Sequence, residues 1–296
     1  MNGDDVEPGD PTPADAAPDP TGTPAGVPAG VPAGVPAGVP AGVMAGYGTS
    51  TYGDAFADVY DDWYAQISDA EATVDCLSRL VDAVGGGSVL ELAVGTGRLA
   101  IPLARTGVSV HGIDTSQAML DRLHAKPGGD AVVTAIGDMA HDLPGGPHAL
   151  VFVAYNSLFA LPAAARADCF AAVAHALVPG GHFVVEAFVP DLDRPAGSTI
   201  GLRSMSATHV VLSIDVHHPD EQRAEGQFVE ITEAGGVRLR PWSVHYASPT
   251  ALDADAAHAG FVLTDRWEDW DGSAFDQHSP RHVSVYRLGP PDPSAP

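Results

Sequence analysis

The sequence predicts an α/β protein: a doubly wound, seven-stranded, mostly parallel sheet with an antiparallel β insertion after the fifth strand. Three observations predict it. Short apolar runs alternate with segments carrying apolar residues at helical spacing, the rhythm of parallel strands joined by right-handed helical crossovers. Three strand-like runs between residues 206 and 247 break that rhythm. A last helix and two strand-like runs then close the chain.

Each element can be justified in chain order. Residues 1–22 are mostly Asp, Pro, Ala and Gly, and residues 23–46 repeat a four-residue unit, TPAGVPAGVPAG and onward. Proline in each unit removes a backbone donor and glycine adds entropy to lose, so residues 1–46 are expected to be a disordered leader. Met44, where the repeat ends, is the expected native start of translation, and residues 289–296 are the expected disordered tail. Between them, residues 47–288 read as the folded domain. Residues 54–84, DAFADVYDDWYAQISDAEATVDCLSRLVDAV, carry apolar positions at helical intervals and predict one or two helices. SVLELA (88–93) reads as the first strand, and a glycine turn leads into a helix with Leu99, Ile101 and Leu103 on its apolar face. GVSVHGID (107–114) gives the second strand, SQAMLDRLHA (116–125) a helix, AVVTAIGD (131–138) the third strand and HALVFVAYNS (148–157) the fourth. PAAARADCFAAVAHALVPGG (162–181) predicts a helix stopped by Pro and Gly, and HFVVEAFV (182–189) the fifth strand.

The ribbons are SATHVVLSIDVHH (206–218), EGQFVEITEA (225–234) and VRLRPWSVHYA (237–247), an insertion over residues 200–247. It is expected to cover the pocket edge, or else to serve as a structural flange or dimer contact. SPTALDADAAHAG (248–260) restores a helix behind a Ser cap, and FVLTDRWEDW (261–270) and RHVSVYRL (281–288) supply the closing strands.

Composition narrows the function. The 296 residues are 45% hydrophobic and 18% charged, as a globular chain requires. A net charge of -24, with Lys126 the sole lysine, argues against a nucleic-acid partner and against an anionic membrane surface. Cys76 and Cys169 have no CxxC or ligand spacing and read as buried thiols in a reducing compartment. No apolar run reaches spanning length and the first residues lack a secretory pattern, so the expected location is cytoplasmic.

The turn AVGTGRLA (93–100) follows a strand and opens a helix, leaving backbone amides free to meet a ligand. Gly95, Gly97 and Ala100 satisfy G-x-G-x-x-A, and Asp114 stands near the end of the next strand, where a ribose-binding acid belongs. Alone, this pattern fits an NAD(P)-dependent oxidoreductase on a Rossmann fold. Three features turn the reading away from a nicotinamide: Glu91 precedes the motif within its strand, the motif lies behind a long aromatic helix, and two more signals appear at strand ends. Those signals are Asp138 with Met139, and Asn156. A doubly wound sheet binds ligands at the carboxyl ends of its strands, so all four positions converge on one crevice.

As a set, LELAVGTGR, VHGIDTSQAML, IGDM and LVPGGHFVVE resemble the class I S-adenosylmethionine-dependent methyltransferases, whose Rossmann-like fold would span residues 52–288. The late ribbons are similar to those of small-molecule N-methyltransferases, including those acting on amino sugars. Ala93 departs from the family's E-x-G-x-G-x-G, standing where the first glycine usually is.

The resemblance implies S-adenosyl-L-methionine as cofactor and a small-molecule acceptor. Gly95 and Gly97 would let the backbone approach the methionine part, in a turn with Glu91, Ala93 and Arg98. Asp114 would accept from both ribose hydroxyls, beside Thr115. Asp138 would accept from the adenine amino group, with the Met139 amide near a ring nitrogen and Met119 or Ile113 against the ring. Tyr60 and Tyr64, one helical turn apart, would reach the cofactor carboxylate or cover its sulfonium, and Trp63 less directly.

Chemistry asks mainly for orientation. An amine attacks without a dedicated base, whereas a hydroxyl needs a carboxylate or histidine in reach, so nitrogen is favoured over oxygen as acceptor. Asn156 and Glu186 are the candidate catalytic residues, at the ends of the fourth and fifth strands. Of thirteen histidines, His209, His217, His218 and His245 fall on the ribbons and His278 and His282 flank the last strand, without a metal spacing. Trp242, Trp267, Trp270 and Phe275 line an acceptor pocket, a core or an interface equally well. A catalytically inactive binding protein on the same fold is the remaining alternative.

Overall fold

The computed structural model describes residues 44–65, 67 and 69–289. The leader up to residue 43 and the tail from residue 290 lie outside the described residues, so the expectations for them rest on sequence alone. Met44, which the sequence places in the leader, is held in place: its backbone amide donates to Glu225 at 3.0 Å.

Three helices precede the first strand where the sequence predicts one or two: α1 (Thr51–Phe56), α2 (Tyr60–Trp63) and α3 (Ala70–Ala83). The long one starts where Asp69 accepts from the amides of Glu71 and Ala72 at 2.9 and 3.1 Å, which fixes its N-terminus. Then come β1 (Val89–Leu92), α4 (Ala100–Arg105), β2 (Val110–Asp114), α5 (Gln117–His124), β3 (Val132–Ile136) and β4 (His148–Val153). These are followed by α6 (Ala163–Ala176), β5 (Leu177–Phe188), β6 (Gly197–Met205), β7 (His209–His218), β8 (Arg223–Thr232) and β9 (Gly236–His245). The chain closes with α7 (Pro249–His258), β10 (Phe261–Trp267) and β11 (Arg281–Leu288).

The main sheet has seven strands in the order β10-β11-β5-β4-β1-β2-β3. Strands β1 to β5 pair in parallel, while β11 runs antiparallel to both β5 and β10. It is the Rossmann-like class I architecture the alternation predicts. Both faces are covered. Leu90, Leu92, Val151, Val153, Phe183 and Val185 point into one apolar cluster, and Val89, Leu150, Phe152 and Val184 into the other. Burial on two sides is why these strands read as unbroken apolar runs.

Two boundaries differ from the sequence reading. The fifth strand, expected from His182, begins at Leu177, directly after the helix ends at Ala176. Pro179 disfavours helical backbone at Val178 and has no amide to donate, so the helix stops ahead of it. The inserted sheet has four antiparallel strands, β6-β7-β8-β9, not three. Strand β6 was missed because Gly197 and Gly201 dilute its alternation of Thr199, Ile200 and Leu202. Among the described residues, no helix is long and apolar enough to cross a membrane.

Candidate functional site

Strand order reverses between β1 and β4, and the crevice opens where those two strands release the chain. Backbone strain collects there. Of the non-glycine residues with positive φ, Ala93 (52°) follows β1, Tyr155 (48°) and Asn156 (63°) follow β4, and Gln222 (47°) lies apart in the turn before β8. Ala93 thus adopts the conformation its glycine counterpart would favour, at an energetic cost of order 1 kcal/mol. Tyr60, Glu91, Gly95, Arg98, Tyr155 and Ser157 line the cleft.

The two glycines of the turn serve different ends. A Cβ on Gly95 (φ +54°) would meet nothing nearer than the Ala93 carbonyl oxygen at 3.9 Å, so its bare side faces open space. A Cβ on Gly97 (φ +76°) would lie 2.7 Å from Leu123 Cγ and 3.0 Å from Ile101. Gly97 therefore permits protein packing in addition to whatever the turn's backbone meets.

Asp114, at the end of β2, accepts from the Gly95 amide at 2.9 Å and from the Ser116 amide at 2.8 Å. Burial raises its pKa, and the amides of Ser116, Gly95 and Thr115 oppose the rise. Glu91 is more deeply buried. Its carboxyl is pushed up to about 8 by burial, against the pull of the Arg98 guanidinium and the Ala100 amide, and its Oε2 has no protein partner. Asp138, after β3, accepts from the Ala140 amide at 2.8 Å, while buried Met139 joins the core beside Ile113. Met119 is buried against Phe56 and Tyr64.

The N-terminal segment straps this rim. Thr115 donates to the Thr49 carbonyl at 2.9 Å and Ser116 to Asp54 at 2.7 Å. Asp61 accepts from Thr96 at 2.6 Å and from Lys126 at 2.7 Å. Tyr60 and Tyr64 share a face as the spacing predicts, with ring centroids 4.9 Å apart, and Tyr64 stands 5.7 Å from Tyr155. Trp63 turns instead toward Phe56 and Phe228, so α2 ties the cleft to the inserted sheet.

Asn156 Oδ1 accepts the Phe188 amide at 2.6 Å, and Glu186, 2% exposed, accepts the Tyr155 amide at 2.9 Å. One oxygen of each side chain therefore holds the strained turn after β4. Of the readings left open for the tryptophans, Trp270 and Trp267 take the core and Trp242 packs on Phe228. The histidines are likewise spread: His217 bonds Tyr246 at 2.7 Å, His209 faces Glu230, and buried His282 bonds Ser284 with its pKa lowered by burial to about 4. Tyr155, Phe228 and Arg203 were missed. Arg203, on β6, lies over the rings of Phe228, Trp63 and Tyr64 at 4.6, 5.0 and 5.6 Å. Tyr155 was visible in AYNS as the residue leaving a switch-point strand; nothing local marks the other two.

A Rossmann-like sheet with an acid after β2 bonded to a glycine turn after β1 defines an α/β nucleoside-cofactor enzyme. Comparisons narrow the class. Residues 89–181 match a family model described as a methyltransferase domain. The CcbJ methyltransferase from Streptomyces caelestis is 39% identical, covering 82% of this chain and all of its own, with a TM-score of 0.74. The sugar N-methyltransferase KedS8 from Streptoalloteichus sp. is 23% identical over 84% of this chain and 100% of its own (TM-score 0.61). The amino pentose methyltransferase CalS10 from Micromonospora echinaspora is 21% identical over 77% and 96% (TM-score 0.58). A comparison with curated protein sequences finds no match. The chain belongs to the class I S-adenosylmethionine-dependent methyltransferases. That membership sets aside the nicotinamide alternative.

Proposed function

We propose that this enzyme binds S-adenosyl-L-methionine in the crevice between β1 and β4 and methylates the nitrogen of a small-molecule amine. The observation that carries the reading is the Asp114 carboxylate anchored on the Gly95 amide at 2.9 Å, an acid fixed at the cleft rim with lone pairs still free. The residues present fit the cofactor. Gly95 offers a bare backbone face, and Glu91 holds a buried oxygen without a protein partner. Asp114 would take the ribose hydroxyls, Asp138 and the Met139 amide the adenine edge, and Met119 and Ile113 its face. Glu91, Ala93, Gly95, Arg98 and Tyr60 would surround the methionine end, with Tyr64 behind and Thr115 fastening the strap over the ribose.

When bound, the sulfonium supplies an already activated methyl group. The chain's own task is then to orient the acceptor, exclude water and leave the nucleophile's lone pair free. Tyr60, Tyr64 and Tyr155 form an aromatic wall suited to that exclusion, and burial keeps Tyr155 protonated by raising its pKa. Asn156 and Glu186 are positioning residues for this wall. Among the described residues lining the cleft there is no histidine, and the carboxyl there, Glu91, is assigned to the cofactor, so an amine that needs no general base suits the cleft better than a hydroxyl.

The likeness to KedS8, a sugar N-methyltransferase, and to CalS10, an amino pentose methyltransferase, supports a small polar acceptor. The charge of -24 supports a partner other than nucleic acid, and two buried unpaired cysteines support a cytoplasmic location. Incubation with trideuteromethyl-labelled cofactor and matched panels of amines and alcohols tests the reading by mass shift. Labelled product among the amines is expected. Transfer to alcohols alone would overturn the nitrogen preference, and binding without turnover on any acceptor would favour an inactive binding protein.

A further inference from the structure

We propose that Arg203 recognises the acceptor by receiving a carboxylate, so that the substrate is an amine with a carboxylate at its far end. The inference rests on the amine reading above and adds the acceptor's second functional group. Arg203 is the extra residue of a β-bulge: Leu202 pairs with Leu212 and Ser204 with Val211, which leaves Arg203 without an opposite residue on β7. A bulge re-aims a side chain. Here it delivers the guanidinium to the side of the sheet that meets the N-terminal helices, 4.6 Å from the ring centre of Phe228, 5.0 Å from Trp63 and 5.6 Å from Tyr64. Tyr64 in turn stands against Tyr60 and Tyr155, both of which line the cleft. The Arg203 charge reaches that far, pulling the Tyr155 hydroxyl down against the rise that burial causes.

Arg240 shows what a structural arginine looks like on the same wall. It also lies over the Trp63 ring, at 5.3 Å, but it is buried and holds Asp58 and Glu230. Arg166, Arg194, Arg223, Arg238, Arg266 and Arg281 each meet a carboxylate as well. Arg203 differs. It is exposed, and among the described residues no carboxylate lies within 4.0 Å of it. In a chain with 38 acidic residues against 14 basic ones, a cation beside the cleft that has no acid of its own marks a place kept for an anion from outside. The rings cover the flat faces of the guanidinium and leave its N–H edge, a fork that matches the two oxygens of a carboxylate. They also exclude water from its flanks, which strengthens the pairing relative to open solvent. A phosphate is a poorer match, because its second charge needs a second cation and the other guanidinium on Trp63 is already neutralised by Asp58 and Glu230.

The test uses the full chain, trideuteromethyl-labelled cofactor, and pairs of amines that differ only in a carboxylate against its carboxamide: ω-amino carboxylates of graded chain length and amino uronic acids. The parent chain should favour the carboxylate member about tenfold or more in kcat/KM, through KM. Arg203→Gln should erase that preference by raising KM for the carboxylate to the same degree, with S-adenosylhomocysteine affinity and melting temperature held; Arg203→Lys, which keeps the charge without the fork, should retain part of it. Isothermal titration of the same pairs into the chain loaded with S-adenosylhomocysteine reads the preference without turnover, so the two readings fail separately. Carboxylate-selective binding with no methyl transferred to nitrogen would sustain the role of Arg203 and overturn the amine reading. Transfer to nitrogen with no preference within the pairs, or no binding by any carboxylate, overturns the inference. So does a stronger preference for phosphorylated amines, and so does Arg203→Gln lowering the melting temperature while both members of each pair lose equally, the behaviour of a structural arginine.

Discussion

The two sheets of this molecule are built on opposite rules. The seven-stranded sheet is covered by apolar clusters on both faces, and its polar groups gather at the carboxyl ends of its strands, with Glu91 within β1, Asp114 ending β2 and Asp138 just after β3. The four-stranded sheet differs: Arg240 and its acids lie on its covered face, while Ile200, Leu202 and Leu239 are exposed on its outer one. Arg240, 1% exposed, joins Asp58 of the N-terminal segment at 2.7 Å and Glu230 at 2.6 Å. The first sheet makes a site and the second fastens the strap that covers it. Sequence composition thus measures what each face meets, and it identifies a core only when both faces agree.

The largest effect expected from breaking this division is at Arg240. Arg240→Ala would leave Asp58 and Glu230 without their cation and cost about 3 kcal/mol or more, since removing one member of a buried pair strands the other. Arg240 lowers the Asp58 pKa through its hydrogen bond, so the variant should also raise the pH at which stability is lost in acid. Denaturant melts check both.

Next come the glycines, which separate packing from binding within one turn. Gly97→Val, against Leu123 and Ile101 and at positive φ, should lower stability by about 2–3 kcal/mol. Gly95→Ala, with open space before its Cβ, should cost about 1 kcal/mol of stability and show its main loss in cofactor affinity. Equal losses of stability in the two variants would contradict the distinction.

The pH dependence set by Glu91 is read as a slope. Its folded pKa of about 8 lies above the ordinary 4.5, so the folded state holds the proton more tightly. Its contribution is full below about pH 4.5 and is lost as pH rises through 8, at up to about 1.4 kcal/mol per pH unit. Glu91→Gln should flatten that decline relative to the parent chain, measured by melts from pH 5 to 9.

Most of the core and the cleft's rim could be read from sequence because local chemistry dictated them. The strand VLEL, the Gly95 turn, Asp114 and Asp138 sit where the parallel rhythm places them. What could not be read depends on pairing across distance. Arg203 stacks on Trp63 from a strand about 140 residues further along the chain, with no local signature. The commitments of Asn156 and Glu186 to neighbouring amides depend on the positive φ of the turn, which sequence reports only through glycine. The packing demand on Gly97 could not be read either, because a motif records the residue and not the neighbour that requires it.

The central claim is that the ends of β1 and β2 build one nucleoside site around Asp114. Isothermal titration of S-adenosylhomocysteine into the parent chain and Asp114→Ala tests it most directly. The account predicts one site per chain, weakened about 5- to 150-fold in the variant (about 1–3 kcal/mol) with the melting temperature nearly unchanged. Equal affinity in the two chains, or binding of NAD(H) in place of the thioether nucleoside, would contradict it.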